Sequence, residues 1–209
     1  MRDLLPVRRH PRGGGLNILI TGVGGQGTVT LGDLIAERAA GLGLPVSVFH
    51  SRGMAHRGGR VAGEIRIASR PGQRLAARLS PGGADVLVGM EIGETINSLP
   101  FLSEGGVALL IDYRYVPSES ALKKEAYPDL QKAVELFSRR TPRVFAVVRP
   151  PAPVNLFALG CLSAALPEEM DPQGIFDPEG LEETIRGFLK KNTAANLEVF
   201  RKGREHGRH

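Results

Sequence analysis

A glycine-rich turn near the start of the chain has the residue types and spacing that suit phosphate binding. Gly22, Gly24 and Gly27 follow the pattern G-x-G-x-x-G, with Gly25 and Gln26 filling the interval before Gly27. Glycines can adopt positive φ and leave backbone N–H groups pointing at an anion, and a following helix adds its positive N-terminus. A tight strand-to-helix turn needs glycine even without a ligand, but the strand-then-helix context favours a bound nucleotide or pyrophosphate.

A second set of candidate ligands lies in the segment 51–60, where glycines again separate potential anion-binding side chains. The set comprises Arg52, Arg57, Gly58, Gly59 and Arg60. Two arginines beside two glycines could grip a phosphate bidentately or dock an acidic partner subunit. The alternative is a plain hairpin turn with solvated arginines, which is favoured for any one arginine but not for the whole set.

The position that selects a ribose in dinucleotide-binding folds carries no acid here. Such folds place Asp or Glu about 20 residues after the glycine turn, at the end of the second strand. In this chain that strand is predicted over 46–52, and no acidic residue lies between Glu37 and Glu64. The sequence therefore disfavours NAD. Arg52 instead suits the ribose phosphate of NADP or the 3′-phosphate of coenzyme A.

The segments around these residues alternate between strand and helix patterns. Apolar runs predict buried strands at 17–23, 84–90, 107–112 and 143–148, and helical patterns follow at 28–42, 91–99 and 130–139. The run from Val61 to Ile67 alternates, which predicts a half-buried strand with Ala62, Glu64 and Arg66 outward. We expect an α/β fold with three layers: a mainly parallel, Rossmann-like sheet with helices on both faces. Ligands then collect at the carboxyl ends of the strands, where Asp112 also lies, although we favour a capping role for Asp112.

The second half of the chain predicts helices but no catalytic or metal-binding residues. The small and apolar stretch after Pro153 predicts a buried helix that starts at Asn155 and contains Cys161 in its middle. Because free cysteines are commonly buried, we interpret this one as a packing residue. The segments 178–191 and 192–202 predict two further helices. The spacing of the five histidines and one cysteine predicts no metal site.

Length and composition are typical of one soluble α/β domain with its own core. The 209 residues are 42% hydrophobic and 23% charged. We predict a flexible leader at 1–15, a single domain at 16–203 and a basic tail at 204–209. The longest apolar runs are too short to cross a bilayer, and one cysteine fits a reducing, cytoplasmic location.

The distribution of charge argues against nucleic acid as the partner. Most of the net charge of +5 lies in the two terminal segments, whereas residues 51–78 carry seven arginines and one glutamate within the domain. Aromatic residues that would stack on bases make up only 5% of the chain. The local positive segment therefore indicates a phosphate-bearing ligand or an acidic protein.

Five stretches together resemble the gamma-type subunit of 2-oxoacid:ferredoxin oxidoreductases. They read G-V-G-G-Q-G, R-G-M-A-H-R-G-G, A-D-V-L-V-G-M, N-L-F-A-L-G and A-N-L-E-V-F-R-K-G in chain order. The similarity covers about residues 16–203, and the two glycine-containing loops together are more specific than either alone. By size and arrangement, the indolepyruvate type is the most similar branch.

The resemblance implies a complex that decarboxylates a 2-oxoacid, reduces ferredoxin and transfers the acyl group to coenzyme A. Thiamine diphosphate and the iron–sulfur clusters are then expected in a catalytic partner subunit, with this chain inactive alone. It also implies that Gly22, Gly24, Gly25, Gln26 and Gly27, with Arg57, Gly58 and Gly59, line the surface that faces this partner and coenzyme A. A free-standing NADP-dependent oxidoreductase that uses Arg52 remains the alternative.

Overall fold

The structure is a computed structural model that describes residues 15–53, 59–76, 78–116 and 126–208. Six β-strands form one sheet: β1 (Leu16–Val23), β2 (Val46–Arg52), β3 (Arg60–Ile67), β4 (Ala84–Gly89), β5 (Leu102–Ile111) and β6 (Val144–Val147). The strands at 16–23, 84–89 and 102–111 are rich in buried Val, Ile and Leu. Such continuous apolar runs are typical of strands that are covered on both faces.

The sheet has the order β2-β3-β1-β4-β5-β6. β1, β4, β5 and β6 pair in parallel, whereas β3 pairs antiparallel with both β1 and β2. Five strands therefore run in one direction and β3 runs against them. The predicted mainly parallel sheet is confirmed, and its carboxyl edge collects the ends of β1, β2, β4, β5 and β6 together with the start of β3.

Helices cover both faces of the sheet, as predicted. They are α1 (Thr28–Gly41), α2 (Ile92–Ser98), α3 (Leu130–Ser138), α4 (Val154–Ala165), α5 (Pro178–Phe188) and α6 (Thr193–His206). One apolar cluster joins α1, α4, α5 and α6 to the face of β1 that carries Ile18 and Ile20. The other joins α2 and α3 to the opposite face, where Leu19 and Leu87 lie. The result is a three-layer α/β fold.

The prediction that β3 is half-buried is wrong. Ala62 and Glu64, expected to face solvent, are only 3% and 6% exposed. β3 lies between β2 and β1, and the segment after it folds back across this face of the strand. The Glu64 carboxylate accepts a hydrogen bond from the Leu79 N–H at 2.6 Å and another from Arg78 Nε at 2.9 Å. These bonds compensate for burying its charge.

Four helix boundaries show what the sequence patterns did and did not encode. Aspartate side chains cap α3 and α5, because Asp129 accepts from Lys132 N–H and Asp177 accepts from Gly180 N–H. α4 instead begins at Val154 after Pro153, so Asn155 lies inside the helix and does not cap it. α6 continues to His206, one turn beyond the predicted end at 202.

α4 and α6 cross at very close range through glycine. A Cβ added at Gly160 would lie 2.0 Å from the Phe200 carbonyl oxygen, and one added at Gly203 would lie 2.1 Å from the Phe157 carbonyl oxygen. The ring of His206 also packs against Phe157, with centroids 5.6 Å apart. This crossing secures the C-terminal helix against the core. None of the helices in the described ranges has the length and apolar character needed to cross a membrane.

Candidate functional site

The glycine loop, residues Gly24–Gly27, joins β1 to α1 at the carboxyl edge of the sheet. Gly24 and Gly25 are exposed. Gly25 has φ of 96° and Gly27 has φ of 76°, in the left-handed region that favours glycine. Gly24 has no such φ, and a Cβ added there would meet no atom within 4 Å. The positive φ that the motif predicts for its glycines therefore falls on Gly25 and Gly27, and not on Gly24.

The Gln26 side chain folds inward and holds the glycine loop in shape. Its Oε1 accepts a hydrogen bond from the Val23 N–H at 2.8 Å, and its Nε2 donates to the Met90 carbonyl at 2.6 Å. Gly22 lies directly against this amide, because a Cβ added at Gly22 would sit 2.5 Å from Oε1. Gln26 and Gly22 therefore hold the loop on its inner side, against β1 and Met90, and the exposed surface belongs to Gly24 and Gly25.

The N-terminus of α1 opens onto the same surface. Gly27 precedes the helix without any side-chain cap, and the first turn contains no acidic residue. Early backbone N–H groups of a helix lack intrahelical acceptors and carry a partial positive charge. The arrangement can therefore receive an anion, as the motif predicts.

The fold brings part of the arginine–glycine segment against the glycine loop. The Gly24 N–H donates to the Gly59 carbonyl at 3.1 Å, and Arg60 lies opposite Val23 in the β1–β3 register. Gly59 and Arg60 thus join the site that the sequence predicts. Arg57 and Gly58 lie outside the described residues.

Arg52 does not share this arrangement. It ends β2, is exposed, and is separated from β1 by the antiparallel β3. With strands about 4.8 Å apart, the β2 backbone lies about 10 Å from β1. In a dinucleotide-binding fold the second strand neighbours the first. Here β3 lies between β2 and β1, which disfavours the NADP alternative.

Glu91 and Glu94, which the sequence analysis did not single out, lie at the start of α2: Glu91 precedes the helix and Glu94 is in its first turn. Glu91 is only 1% exposed. Its carboxylate accepts from the Glu94 N–H at 2.9 Å, the Tyr115 N–H at 3.1 Å and the Tyr127 hydroxyl at 3.0 Å. Burial, and then the Glu91 charge, raise the pKa of Tyr127. Glu91 therefore ties the chain around 115 and 127 to the carboxyl edge.

Glu94 connects this turn to the arginine–glycine segment. Its Oε2 lies 3.3 Å from Arg60 Nε, with the side chains 22% and 45% exposed, respectively. The spacing E-x-x-E at a strand-to-helix turn was the available signal, since the first glutamate caps the helix that carries the second. What the sequence could not provide was the partner of Glu94, 34 residues away along the chain.

Asn155 is another residue whose role emerges only from the fold. It is 8% exposed at the start of α4, and its side-chain amide packs against Gly27. A Cβ added at Gly27 would lie 2.6 Å from Asn155 Nδ2. The residue begins the quoted stretch N-L-F-A-L-G, so the sequence singled it out, but as the start of a helix rather than as a support for the glycine loop.

Asp112 is at the carboxyl edge, as expected, but it caps nothing in the described part of the chain. Its N–H donates to the Val147 carbonyl, and the chain continues without a helix through Val116. Because the segment 117–125 lies outside the described residues, the capping role of Asp112 stays a prediction. Across the described ranges, no group of three His, Cys, Asp or Glu side chains is arranged to hold a metal ion.

Comparison with known proteins identifies the family. The model for pyruvate ferredoxin/flavodoxin oxidoreductases matches residues 17–206. The chain belongs to this family. The family predicted from the five sequence stretches is thereby confirmed.

Among curated members of the family, the indolepyruvate oxidoreductase subunit IorB of Archaeoglobus fulgidus is 35% identical over 132 residues. This match covers 63% of the chain and 64% of the relative, which is less than two thirds of that protein's length.

Two solved family structures share the fold. The 2-oxoglutarate:ferredoxin oxidoreductase of Magnetococcus marinus matches with a TM-score of 0.61 and 23% identity, over 92% of this chain and 31% of that one. Pyruvate oxidoreductase subunit PORC of Thermotoga maritima matches with a TM-score of 0.61 and 21% identity, over 91% of this chain and 96% of that one.

Proposed function

We propose that this chain is the non-catalytic subunit of a multi-chain 2-oxoacid:ferredoxin oxidoreductase of the indolepyruvate type. The complex converts a 2-oxoacid, coenzyme A and oxidised ferredoxin into acyl-CoA, CO2 and reduced ferredoxin. The observation that carries the proposal is the hydrogen bond between Gly24 and Gly59. It joins, at one edge of the sheet, the two loops on which the family resemblance rests.

The residues of this chain do not fit an iron–sulfur cluster, which supports a division of labour with a partner. A cluster of the common type needs four cysteine thiolates, and the 209 residues contain one. Cys161 is buried in α4, and burial raises the pKa of its thiol to about 12. We assign thiamine diphosphate and the clusters to the catalytic partner subunit, through which ferredoxin is reduced.

Coenzyme A is the ligand that this chain and the partner share in the proposal. The exposed glycine loop, the uncapped start of α1 and the Arg60 guanidinium offer backbone donors and positive charge for a diphosphate. The Magnetococcus complex holds coenzyme A and succinyl-CoA. Coenzyme A is therefore the first ligand to test here.

Reconstitution tests the function. The purified chain should be inactive with indolepyruvate, pyruvate or 2-oxoglutarate, and ferredoxin reduction should begin only when the thiamine- and cluster-containing subunit and coenzyme A are added. Comparing the three 2-oxoacids identifies the substrate type. Saturable NADPH oxidation by the isolated chain, lost in Arg52→Ala and kept in the control Arg70→Ala, would instead establish the NADP enzyme.

A further inference from the structure

Arg60 belongs to the glycine-loop site by position. It is the first residue of β3, pairs with Val23 in the register, and directly follows Gly59, which accepts the Gly24 N–H. Nearly half of its side chain is exposed. An anion bound at the glycine loop therefore lies within reach of a long cationic side chain.

The contact between Arg60 and Glu94 uses only one part of the guanidinium. Nε lies 3.3 Å from Glu94 Oε2 in the ion pair, and within the described residues neither Nη atom makes a hydrogen bond. The two Nη groups together form the fork that binds phosphate oxygens bidentately. Glu94 thus contacts the inner part of the guanidinium, and no hydrogen bond within the described residues occupies its outer fork.

Glu94 is itself poorly solvated. Oε2 is buried and, despite its ion-pair distance to Arg60, makes no well-directed hydrogen bond. Burial is the largest effect and raises the pKa of Glu94 above its usual value. The positive charge of Arg60 lowers this pKa, the negative charge of Glu91 raises it, and a hydrogen bond with Asn97 lowers it. The Tyr127 hydroxyl lies on the neighbouring segment and contacts Glu91. Arg60 is therefore the main group that keeps Glu94 ionised.

We propose that Glu94 positions the Arg60 guanidinium for a ligand phosphate and takes up one proton when that phosphate binds. This inference rests on the proposed function for the identity of the ligand, the diphosphate or 3′-phosphate of coenzyme A. The role of Glu94 is positioning, because its carboxylate contacts the guanidinium and not the ligand.

The proton balance follows from the charges. A phosphate at the Nη fork adds negative charge and offsets the attraction of Arg60, so the pKa of Glu94 rises further on binding. One proton passes from solvent to the carboxylate, and the neutral acid that results keeps an oxygen beside Arg60 Nε. The bound state holds more protons than the free state. Ligand affinity therefore increases as the pH falls from the Glu94 pKa in the complex to its pKa in the free chain, by at most about tenfold per pH unit. Below the free-state pKa it becomes constant.

Calorimetric titration of the full chain with coenzyme A and, separately, with inorganic pyrophosphate tests this. Each titration is run at several pH values in two buffers of different ionisation enthalpy, so that proton uptake is measured directly. Glu94→Gln reproduces the shape of the protonated acid. It should bind as tightly at every pH as the wild type does at low pH, and its proton uptake should be lower by up to one.

Three further variants complete the design. Arg60→Ala should weaken binding roughly 10- to 100-fold, the effect of losing a hydrogen bond to a charged group. Glu94→Ala removes the holding oxygen and should weaken binding, whereas Glu94→Gln should not. Glu104→Gln, an exposed carboxylate at the opposite end of the sheet, is the matched control and should behave as the wild type.

Wild-type binding that is independent of pH, or equal proton uptake in wild type and Glu94→Gln, would overturn the inference. So would the absence of saturable binding of both probes, or unchanged affinity in Arg60→Ala. None of these outcomes depends on ferredoxin reduction. Activity of the reconstituted complex without proton-linked binding would reject the role of Glu94 and leave the proposed function intact. Proton-linked binding without reconstituted activity would support the role of Glu94 and reject the proposed function.

Discussion

The glycine loop and the crossing of α4 with α6 both depend on glycine, but for opposite physical reasons. At Gly160 and Gly203, an added Cβ would lie about 2 Å from the backbone of the facing helix, so glycine is required by contacts within the chain. At Gly24, an added Cβ would meet no atom within 4 Å. The crossing is already filled, whereas the loop leaves its surface open to a molecule that is not part of this chain.

The difference shows that a glycine motif is informative only together with its surroundings. Gly22 and Gly27 belong to the same G-x-G-x-x-G pattern as Gly24, yet they pack against Gln26 and Asn155. Within one loop, some glycines therefore serve packing and others leave an open surface. Substitutions at single positions can separate the two roles.

Gly203→Ala should have the largest effect on stability. The new methyl group collides with the Phe157 carbonyl, and two packed helices cannot separate without losing their other contacts. We expect a loss of about 3 kcal/mol in the free energy of unfolding, measured by urea denaturation. The control is Gly187→Ala, an exposed helical glycine with open space, which should stabilise by about 0.5 kcal/mol. Equal stability of the two variants would contradict the close crossing.

Gly27→Ala should have the next largest effect, about 2 kcal/mol, from left-handed backbone strain and from the contact with Asn155. Gly43→Ala separates the two causes, because Gly43 has a similar φ of 73° but open space around it. The difference in unfolding free energy between the variants measures the Asn155 contact. If Gly43→Ala is as damaging as Gly27→Ala, then Asn155 does not constrain the loop.

Gln26→Ala should destabilise by about 1–2 kcal/mol, because the Val23 N–H and the Met90 carbonyl lose their partner. Amide hydrogen exchange should also become faster at Val23. Gln131→Ala, at an exposed position of α3, is the control and should be neutral. Unchanged exchange at Val23 in Gln26→Ala would mean that the amide does not hold the loop.

Gly24→Asp should have the smallest effect on stability, within about 0.5 kcal/mol, since the side chain enters open space. The same change should weaken coenzyme A binding on the order of tenfold, because it places a negative charge beside the expected phosphate site. Gly187→Asp adds the same charge to an exposed glycine of α5 and should leave binding unchanged. If both variants bind coenzyme A equally well, the glycine loop does not bind this ligand.

Much of the fold could be predicted because the apolar pattern of neighbouring residues indicates which segments are buried. The runs at 84–90 and 107–112 are apolar without alternation, as strands covered on both faces must be, and the structure contains β4 and β5 there. The glycine turn was predicted for the same reason, since its position between a strand and a helix is a local feature. The alternation over 61–67 misled, because Glu64 is buried by Arg78 and Leu79, which are 14 and 15 residues away.

The sequence by itself determined the α/β class, the glycine turn and the arginine–glycine segment after β2, because each depends on residues that are close along the chain. Only the tertiary structure decided that β3 separates β2 from β1, that Gly59 bonds to Gly24, and that Arg60 meets Glu94. Strand order and side-chain pairing depend on which distant segments bury each other best. That competition involves the whole chain, and no local pattern records its outcome.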